Sequence, residues 1–110
     1  MVKWNIFLTS RFEKELKALN KKHRSIKEDL KDFMSALKEN PYIGVDLGNG
    51  IRKIRMVISS KGKGKSGGAR IITLTTCIDE KGDIYLLTIY DKSERATISK
   101  DEIEDILKRI

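Results

Sequence analysis

The fold of this chain is set by residues 51–78, which read IRKIRMVISSKGKGKSGGARIITLTTCI. Residues 51–58 and 70–78 are apolar runs with the length and alternation of β-strands. In the first run one face is apolar and the other carries charge, with Ile54, Met56 and Ile58 against Lys53 and Arg55. A glycine–lysine loop, residues 59–68, separates the two runs. The segment is therefore predicted to form two strands joined as a long hairpin.

On the N-terminal side, residues 2–8 alternate in period two and predict a strand with Val2, Trp4, Ile6 and Leu8 on its core face. Two capping boxes follow, Ser10 to Glu13 and Ser25 to Glu28, and each is expected to open an amphipathic helix. The second helix is expected to stop at Asn40 and Pro41. Residues 42–50 contain three glycines and are interpreted as a loop.

On the C-terminal side, residues 79–83 predict a hairpin turn and residues 84–90 a final strand. A third capping box, Ser99 to Glu102, predicts the last helix. The order strand-helix-helix-strand-strand-strand-helix indicates an α+β fold in a single domain spanning residues 1–110. We expect a mainly antiparallel four-stranded sheet whose helices cover one face, with the basic strand residues pointing from the other.

The positive charge of the chain is concentrated around this hairpin. Residues 47–78 hold no acidic residue and seven basic ones, so their charge equals the net +7 of the whole chain. These residues are Arg52, Lys53, Arg55, Lys61, Lys63, Lys65 and Arg70. A local cationic surface indicates a polyanionic partner, and nucleic acid is the first candidate.

The composition excludes several other classes of protein. One cysteine allows no internal disulfide and fits a reducing compartment, so a cytoplasmic location is expected. The apolar run near the N-terminus is too short for a signal peptide or membrane span. One histidine and no histidine–cysteine cluster argue against a zinc site, and no cofactor is expected.

The loop also invites comparison with a nucleotide-binding P-loop, because Gly64, Lys65 and Ser66 match the end of that motif. Ser59 stands where the motif requires glycine, and a β-branched run follows where it requires a helix. The motif is therefore rejected. A solvated hairpin loop is the plain alternative. Like charges on adjacent strands destabilise their pairing, however, so the cluster favours a ligand such as RNA phosphate that relieves the repulsion.

Three segments resemble a known family: residues 50–55 (GIRKIR), 61–72 (KGKGKSGGARII) and 84–94 (IYLLTIYDKSE). They look like the RelE/HigB group of bacterial type II toxins, and are most similar to HigB-like members with a glycine–lysine loop. The resemblance covers nearly the whole chain and also extends to the order of strands and helices. It implies a ribosome-dependent endoribonuclease that cleaves mRNA in the A site of the small ribosomal subunit. It further implies a cognate antitoxin that holds the enzyme inactive.

Metal-free RNA cleavage requires a deprotonated 2′-hydroxyl, a stabilised phosphorane and a protonated 5′-oxygen. His23 lies among basic residues between the first two helices and is interpreted as a solvated linker residue, which excludes a two-histidine ribonuclease. Lysine, arginine, tyrosine and carboxylate remain. Lysines crowded among cations have lowered pKa values, so one of them could carry a proton near neutrality.

The resemblance assigns roles to particular residues. The residues that match the family's catalytic positions are Lys53, Arg55, Arg70, Lys92 and Glu94. For Arg70, a role in phosphate binding is favoured over a structural ion pair, because the planar guanidinium matches the geometry of a phosphate. The expected RNA-binding residues are Arg52, Lys61, Lys63, Lys65, Tyr90 and Arg95. Among these, Lys61 could contribute only to the positive electrostatic field, without contacting RNA. Tyr90 could stack on a base, donate a hydrogen bond or pack in the core.

The chain departs from the RelE pattern at two positions. Ser93 replaces an arginine, and Ser99 lies near the position of a catalytic tyrosine. Arg95 or a loop lysine could substitute for the missing groups. Two alternatives therefore stay open: a ParE-like inhibitor of DNA gyrase that is not a nuclease, and an inactive relative that only binds RNA or an antitoxin.

Overall fold

The computed structural model describes all 110 residues of the chain. The elements in order are β1 (Lys3–Leu8), α1 (Ser10–Lys22), α2 (Ile26–Glu39), β2 (Val45–Gly48), β3 (Ile51–Met56), a 3₁₀ turn (Ser59–Lys61), β4 (Ala69–Ile78), β5 (Lys81–Asp91) and α3 (Lys100–Leu107). The predicted α+β class, with two N-terminal helices and one C-terminal helix, is confirmed. No helix has both the length and the apolar character needed to cross a membrane.

The sheet has five strands in the order β1-β5-β4-β3-β2, rather than the four predicted. It is a mixed sheet. β1 pairs with β5 in parallel, and the other three pairings are antiparallel. The predicted strand number was wrong because β2 was interpreted as loop. β2 has only four residues, all of them exposed, so it lacks the burial pattern that marks a strand in sequence.

The β2–β3 hairpin is closed by Asn49 and Gly50, which both have positive φ angles of 54° and 81°. A two-residue hairpin turn of type I′ requires positive φ at both central positions, and asparagine followed by glycine is the preferred pair. This turn places β2 at the edge of the sheet beside β3. The same dipeptide was available in the sequence as a hairpin signal.

The β4–β5 hairpin is tighter than predicted, because Ile78 pairs with Lys81 and leaves only Asp79 and Glu80 as the loop. Asp79 has a positive φ of 56° and supplies the turn conformation. Gly82, expected in the turn, lies within β5. A Cβ atom there would overlap the indole of Trp4, so close packing of β1 on β5 requires this glycine.

Two of the three predicted capping boxes differ from the caps found in the structure. Thr9, rather than Ser10, caps α1 by accepting a hydrogen bond from the amide of Phe12 at 3.1 Å. Ser25 makes no cap and instead donates to the Asp29 carboxylate at 2.7 Å. Ser99 does cap α3, accepting from the amide of Glu102 at 3.1 Å. A capping motif fits more than one register, and tertiary contacts decide which is used.

Helices lie on both faces of the sheet, which corrects the expectation that they cover only one. α1 and α2 pack on the first face through a core that includes Phe12, Phe33 and Leu37. On the second face, the chain after β5 and helix α3 pack through Ile98, Ile103 and Ile106. β4 and β5 carry apolar residues in both phases of their alternation, for example at Ile71 and Ile72, so both faces of these strands require cover.

Candidate functional site

The candidate site lies where three neighbouring strands end. β3 ends at Met56, β4 begins at Ala69 and β5 ends at Asp91, and Ala69 is in register with both of the others. The glycine–lysine loop therefore joins β3 to β4 at the same end of the sheet from which residues 92–95 leave β5. This turn, residues 92–95, is bonded to the loop by the amide of Lys92, which donates to the carbonyl of Gly68 at 3.0 Å. The topology thus joins segments that are distant in sequence.

Arg55, Arg70 and Tyr90 form a row across β3, β4 and β5, since Arg55 is in register with Arg70, and Arg70 with Tyr90. Arg55 is exposed, whereas Arg70 and Tyr90 are buried, at 5% and 7% exposure. Two guanidinium groups thus originate at directly opposed positions. The row combines a surface cation with a buried one in the second face of the sheet.

The Arg70 guanidinium contacts only neutral oxygens. It donates to the carbonyls of Lys65 at 3.0 Å and Ser66 at 3.3 Å, and to its own neighbour Ala69 at 3.2 Å. No carboxylate lies within ion-pair distance, so its positive charge is not neutralised. Arg70 therefore supports the end of the loop and also places an unpaired charge beneath it.

Tyr90 packs in the second core cluster, which agrees with the core alternative and not with stacking on a base. The Arg95 guanidinium lies 5.7 Å from the ring centroid, and the ring belongs to the same cluster as Ile103 and Ile106 of α3. The hydroxyl is buried and has no hydrogen-bond partner. Its desolvation raises the pKa of Tyr90, although the nearby charges of Arg70 and Arg95 act in the opposite direction.

The basic residues of β3 separate onto two faces. Lys53 lies on the second face with Arg55, and its Nζ is 3.4 Å from Thr97 Oγ1. Arg52 lies on the other face, where it donates to the Tyr42 carbonyl at 2.8 Å and covers the Tyr42 ring at 5.5 Å. Its ion pair with Asp46 spans 3.8 Å. The structure therefore does not bring Arg52 together with the other predicted site residues.

The three loop lysines differ in their surroundings. Lys63 and Lys65 are exposed and form no ion pair. Lys61 is largely buried and pairs with Asp91 at 2.7 Å, with 11% of its side chain exposed. The ammonium group of Lys61 is therefore already paired inside the protein, and its predicted contact with RNA stays a prediction. Alternation in the sequence made the three lysines look equivalent.

The turn contains three predicted site residues that point to different partners. Lys92 Nζ donates to the Ala96 carbonyl at 2.8 Å. Glu94 accepts from Lys22 of α1 at 2.7 Å, and this hydrogen bond raises the pKa of Lys22. Arg95 pairs with Glu102 of α3. Lys92 and Glu94 thus do not contact each other, and the cation of Arg95 is already neutralised.

Glu102 is shared by two arginines. The hydrogen bond from Arg95, followed by that from Arg11 at 2.6 Å, lowers the pKa of Glu102 to about 2. The cluster ties the start of α1 and the turn to α3. A capping box has two hydrogen bonds, and the predicted bond from the Ser99 amide to the Glu102 carboxylate is absent. The Glu102 carboxylate bonds to the two arginines instead.

Two residues of the site region were missed or misread in the sequence. Asp91 is 3% exposed and pairs with Lys61 and with His23, whose Nε2 lies 2.9 Å from its Oδ2. His23 is therefore no solvated linker residue, as 15% of its side chain is exposed. The sequence signal for Asp91 was an acid immediately after a predicted strand in a basic site. No local pattern pairs it with residues 30 and 68 positions away.

The candidate site is an open surface rather than a pocket. A groove of about 820 Å³ lies between the first turn of α1 and the C-terminal part of the chain from Glu102 onward, and it includes Phe7 and Tyr85. None of the predicted site residues lines it. No group of three or more histidine, cysteine, aspartate or glutamate side chains is arranged to hold a metal ion. An exposed basic surface of this kind suits an extended polyanion, whose backbone runs along a surface.

Comparison with known proteins identifies a family and similar solved structures. The model of the family described as "RelE toxin of RelE / RelB toxin-antitoxin system" matches residues 4–109, which is nearly the whole chain. Among solved structures, a double arginine-to-alanine mutant of E. coli toxin RelE in the free state is similar with a TM-score of 0.60. The match covers 100% of this chain and 99% of that one at 21% identity, so it shows a shared fold.

Proposed function

Because the chain belongs to the RelE family of toxins, we propose that it is a ribosome-dependent endoribonuclease that cleaves mRNA in the ribosomal A site. It is the toxin of a type II toxin–antitoxin pair, and a cognate antitoxin holds it inactive in the cytoplasm. Within the family, the glycine–lysine loop makes it most similar to HigB-like members.

The observation that carries this proposal is the set of unneutralised cations at one end of the sheet. Arg55, Lys63 and Lys65 are exposed and have no carboxylate partner, and Arg70 lies beneath the loop with only carbonyl partners. Cations kept without partners bind phosphates favourably, because binding releases the counterions of the RNA and relieves the repulsion within the cluster. An RNA strand is the ligand that fits this surface.

The proposed reaction begins when the 2′-oxygen of the substrate attacks the adjacent phosphorus. The bond from phosphorus to the 5′-oxygen breaks, leaving a 2′,3′-cyclic phosphate and a 5′-hydroxyl. The proton of the 2′-hydroxyl passes to a base, and the 5′-oxygen takes a proton from an acid. The chemistry uses side chains alone, without a metal ion or another cofactor.

The residues divide the work by their positions. Arg70 is buried, so it stabilises the charge that develops on the phosphorane through its own positive charge from beneath the loop, where no carboxylate competes for its guanidinium. Lys53 and Arg55 contact and activate the substrate from the second face of β3. Lys92 and Glu94, on the turn, are the candidates for proton transfer. The flanking phosphates are held by Lys63 and Lys65.

The decisive experiment adds the purified protein to a translating extract and maps mRNA ends by primer extension. We expect cuts at codon spacing that appear only when ribosomes translate the message. Arg55→Ala and Lys65→Ala remove exposed cations and should fold normally, and both should weaken cleavage. Arg70→Ala should abolish it, with Arg70→Lys as the milder change if the alanine variant is unstable. Lys38→Ala, on the exposed end of α2, is the matched control.

Two other outcomes would point to the alternatives. Intact mRNA together with arrested DNA supercoiling would contradict the proposal in favour of a ParE-like gyrase inhibitor. Intact mRNA with normal supercoiling would leave an inactive relative that binds RNA or an antitoxin. The second alternative draws on Ser93, which replaces an arginine of the family, and on Ser99, which lies near the position of a catalytic tyrosine. The Arg95 charge that could substitute is neutralised by Glu102.

A further inference from the structure

Asp91 is a buried carboxylate at the cationic end of the sheet, where β5 ends. Its Oδ1 accepts from Lys61 Nζ at 2.7 Å, from the Ser93 amide at 3.0 Å and from Ser93 Oγ at 2.8 Å. Its Oδ2 lies 2.9 Å from His23 Nε2. Burial would raise the pKa of Asp91, but the hydrogen bonds from Lys61, Ser93 and His23 outweigh this effect and the pKa lies well below its usual range. The carboxylate is therefore ionised in the folded protein near neutral pH.

These contacts join three separate segments. Lys61 ends the 3₁₀ turn that begins the glycine–lysine loop. Ser93 belongs to the turn after β5, and His23 lies between α1 and α2. The Asp91 carbonyl also accepts from the amides of Glu94 and Arg95, both at 3.0 Å. Asp91 thus holds the turn with its backbone and the start of the loop with its side chain.

The other end of the loop is held separately. Arg70 binds the carbonyls of Lys65 and Ser66, and the Lys92 amide binds the carbonyl of Gly68. The loop is therefore anchored at both ends, while Lys63 and Lys65 between the anchors are exposed.

Two buried carboxylates hold the start of the loop. Asp29 of α2 accepts from the Ser59 amide at 2.9 Å and from Ser59 Oγ at 2.6 Å, and Asp91 accepts from Lys61. Of the two, only Asp91 also bonds to the turn after β5, so a change at Asp91 alters both segments without touching Arg70.

We propose that Asp91 is a positioning residue, which sets the loop lysines and Lys92 in the relative arrangement that RNA cleavage requires. This inference rests on the proposed ribonuclease function. Asp91 does not contact the substrate, since its carboxylate is enclosed by Lys61, Ser93 and His23. A shift of about 1 Å in catalytic groups can lower a rate by about a hundredfold, so loss of this anchor has a large effect at a distance.

The sign of the charge change separates positioning from simple electrostatics. Asp91→Asn makes the protein more positive, and that alone should keep or strengthen its affinity for RNA. Loss of positioning should instead lower the rate constant at saturation. We expect Asp91→Asn to reduce the single-turnover rate on programmed ribosomes by about tenfold or more. The half-saturating concentration should stay unchanged or decrease.

Two further variants serve as controls for a loss of stability in Asp91→Asn. Glu15→Gln weakens a different carboxylate anchor, which accepts from Thr88 Oγ1 at 2.7 Å and from the Ile89 amide at 3.2 Å, away from the loop. It should lower stability without changing the rate of the folded protein. The double variant Lys61→Met with Asp91→Asn removes both charges of the buried pair, so it should recover stability relative to Asp91→Asn. Its rate should remain low.

Hydrogen exchange gives a readout that does not depend on cleavage. Asp91→Asn should speed exchange selectively in residues 59–68 and 92–95, and Glu15→Gln should not. If the wild-type protein does not cleave mRNA, the proposed function fails, and selective exchange alone then decides the role of Asp91. A folded Asp91→Asn protein with wild-type rate and wild-type exchange would overturn the positioning role and leave the ribonuclease proposal intact. Recovery of rate together with stability in the double variant would also overturn it.

Discussion

Arg55 and Arg70 are directly opposed on β3 and β4, and no carboxylate bridges them. Like charges in this arrangement oppose strand pairing. The apolar residues of the same strands, such as Ile54 and Ile71, offset the repulsion from the first face of the sheet. The protein therefore keeps a local electrostatic strain that an anionic ligand would relieve, and this opposition gives the first prediction.

Arg55→Gln should move stability and activity in opposite directions. Removing one of the two opposed charges should raise the free energy of unfolding by about 0.5 kcal/mol. Cleavage of mRNA should fall by about tenfold or more, because a cation that faces the transition state is lost. Thermal denaturation and primer extension measure the two effects, and Lys38→Gln is the control. A variant that loses stability and activity together would show that Arg55 is structural.

RNA binding should weaken steeply as salt increases. Lys63→Ala and Lys65→Ala should each reduce the slope of log affinity against log salt by about 0.7, as expected for one lost contact to single-stranded RNA. Lys61→Ala should leave the slope unchanged after correction for stability, because its ammonium group pairs with Asp91. Fluorescence anisotropy with a short single-stranded RNA measures the slopes. Equal slopes in all three variants would contradict the distinction between exposed and buried loop lysines.

Tyr90→Phe should stabilise the protein. The hydroxyl is buried without a hydrogen-bond partner, and such an unsatisfied group costs about 1 kcal/mol or more. The ring itself should stay in the second core cluster. RNA affinity should not change, since the ring is not available for stacking. Urea denaturation and binding measurements test this. A loss of RNA affinity in a stable Tyr90→Phe protein would show that the hydroxyl takes part in RNA binding.

Glu102 should contribute to stability in a defined pH range. Its pKa falls from 4.5 to about 2 on folding, so the contribution is present above pH 4.5 and is lost as the pH falls toward 2. Glu102→Gln should therefore lower the melting temperature near pH 6, and the difference from wild type should shrink toward pH 2. Glu104→Gln, at an exposed position on the same helix, is the control. A difference that does not depend on pH would argue against the Arg95 and Arg11 pairs.

Gly82→Ala should destabilise the protein by about 2 kcal/mol, because the added Cβ overlaps the indole of Trp4. A β-strand tolerates alanine, so removing the Trp4 indole that overlaps the new Cβ should recover much of the lost stability. A double-mutant cycle with Trp4→Ala tests this: the two changes together should cost less than the sum of their separate costs. Additive costs would place the effect in the backbone rather than in the Trp4 contact.

Much of the fold could be predicted from periodicity. Alternation in β3, β4 and β5 and the apolar stripes of α1, α2 and α3 are local signals, and these elements were found in the expected order. β2 was missed because a four-residue exposed edge strand buries nothing and leaves no pattern. The cap of α1 was misplaced by one residue, because Thr9 and Ser10 both fit the motif. Ser25 is at the N-cap position of α2 as predicted, but its hydroxyl bonds to Asp29 instead of capping the helix.

The site divides in the same way. Charge counting placed the cationic surface at residues 47–78, and the exposed Lys63, Lys65 and Arg55 are found there without partners. It could not separate Lys61 from its neighbours or find His23 and Asp91. Ion pairs of this kind depend on which strands end side by side, and that information lies in contacts between residues 30 or more positions apart.

The sequence by itself determined the class of the fold and the sign and location of the charge. These follow from local patterns of apolar and basic residues, which need no knowledge of distant contacts. The tertiary structure alone decided which cations are available. It assigned Lys61 to Asp91 and Arg95 to Glu102, placed Arg70 beneath the loop, and left Arg55, Lys63 and Lys65 exposed without partners. The physical reason is that a charge is neutralised by the nearest carboxylate in space, and which carboxylate is nearest is set by how the strands, turns and helices come together.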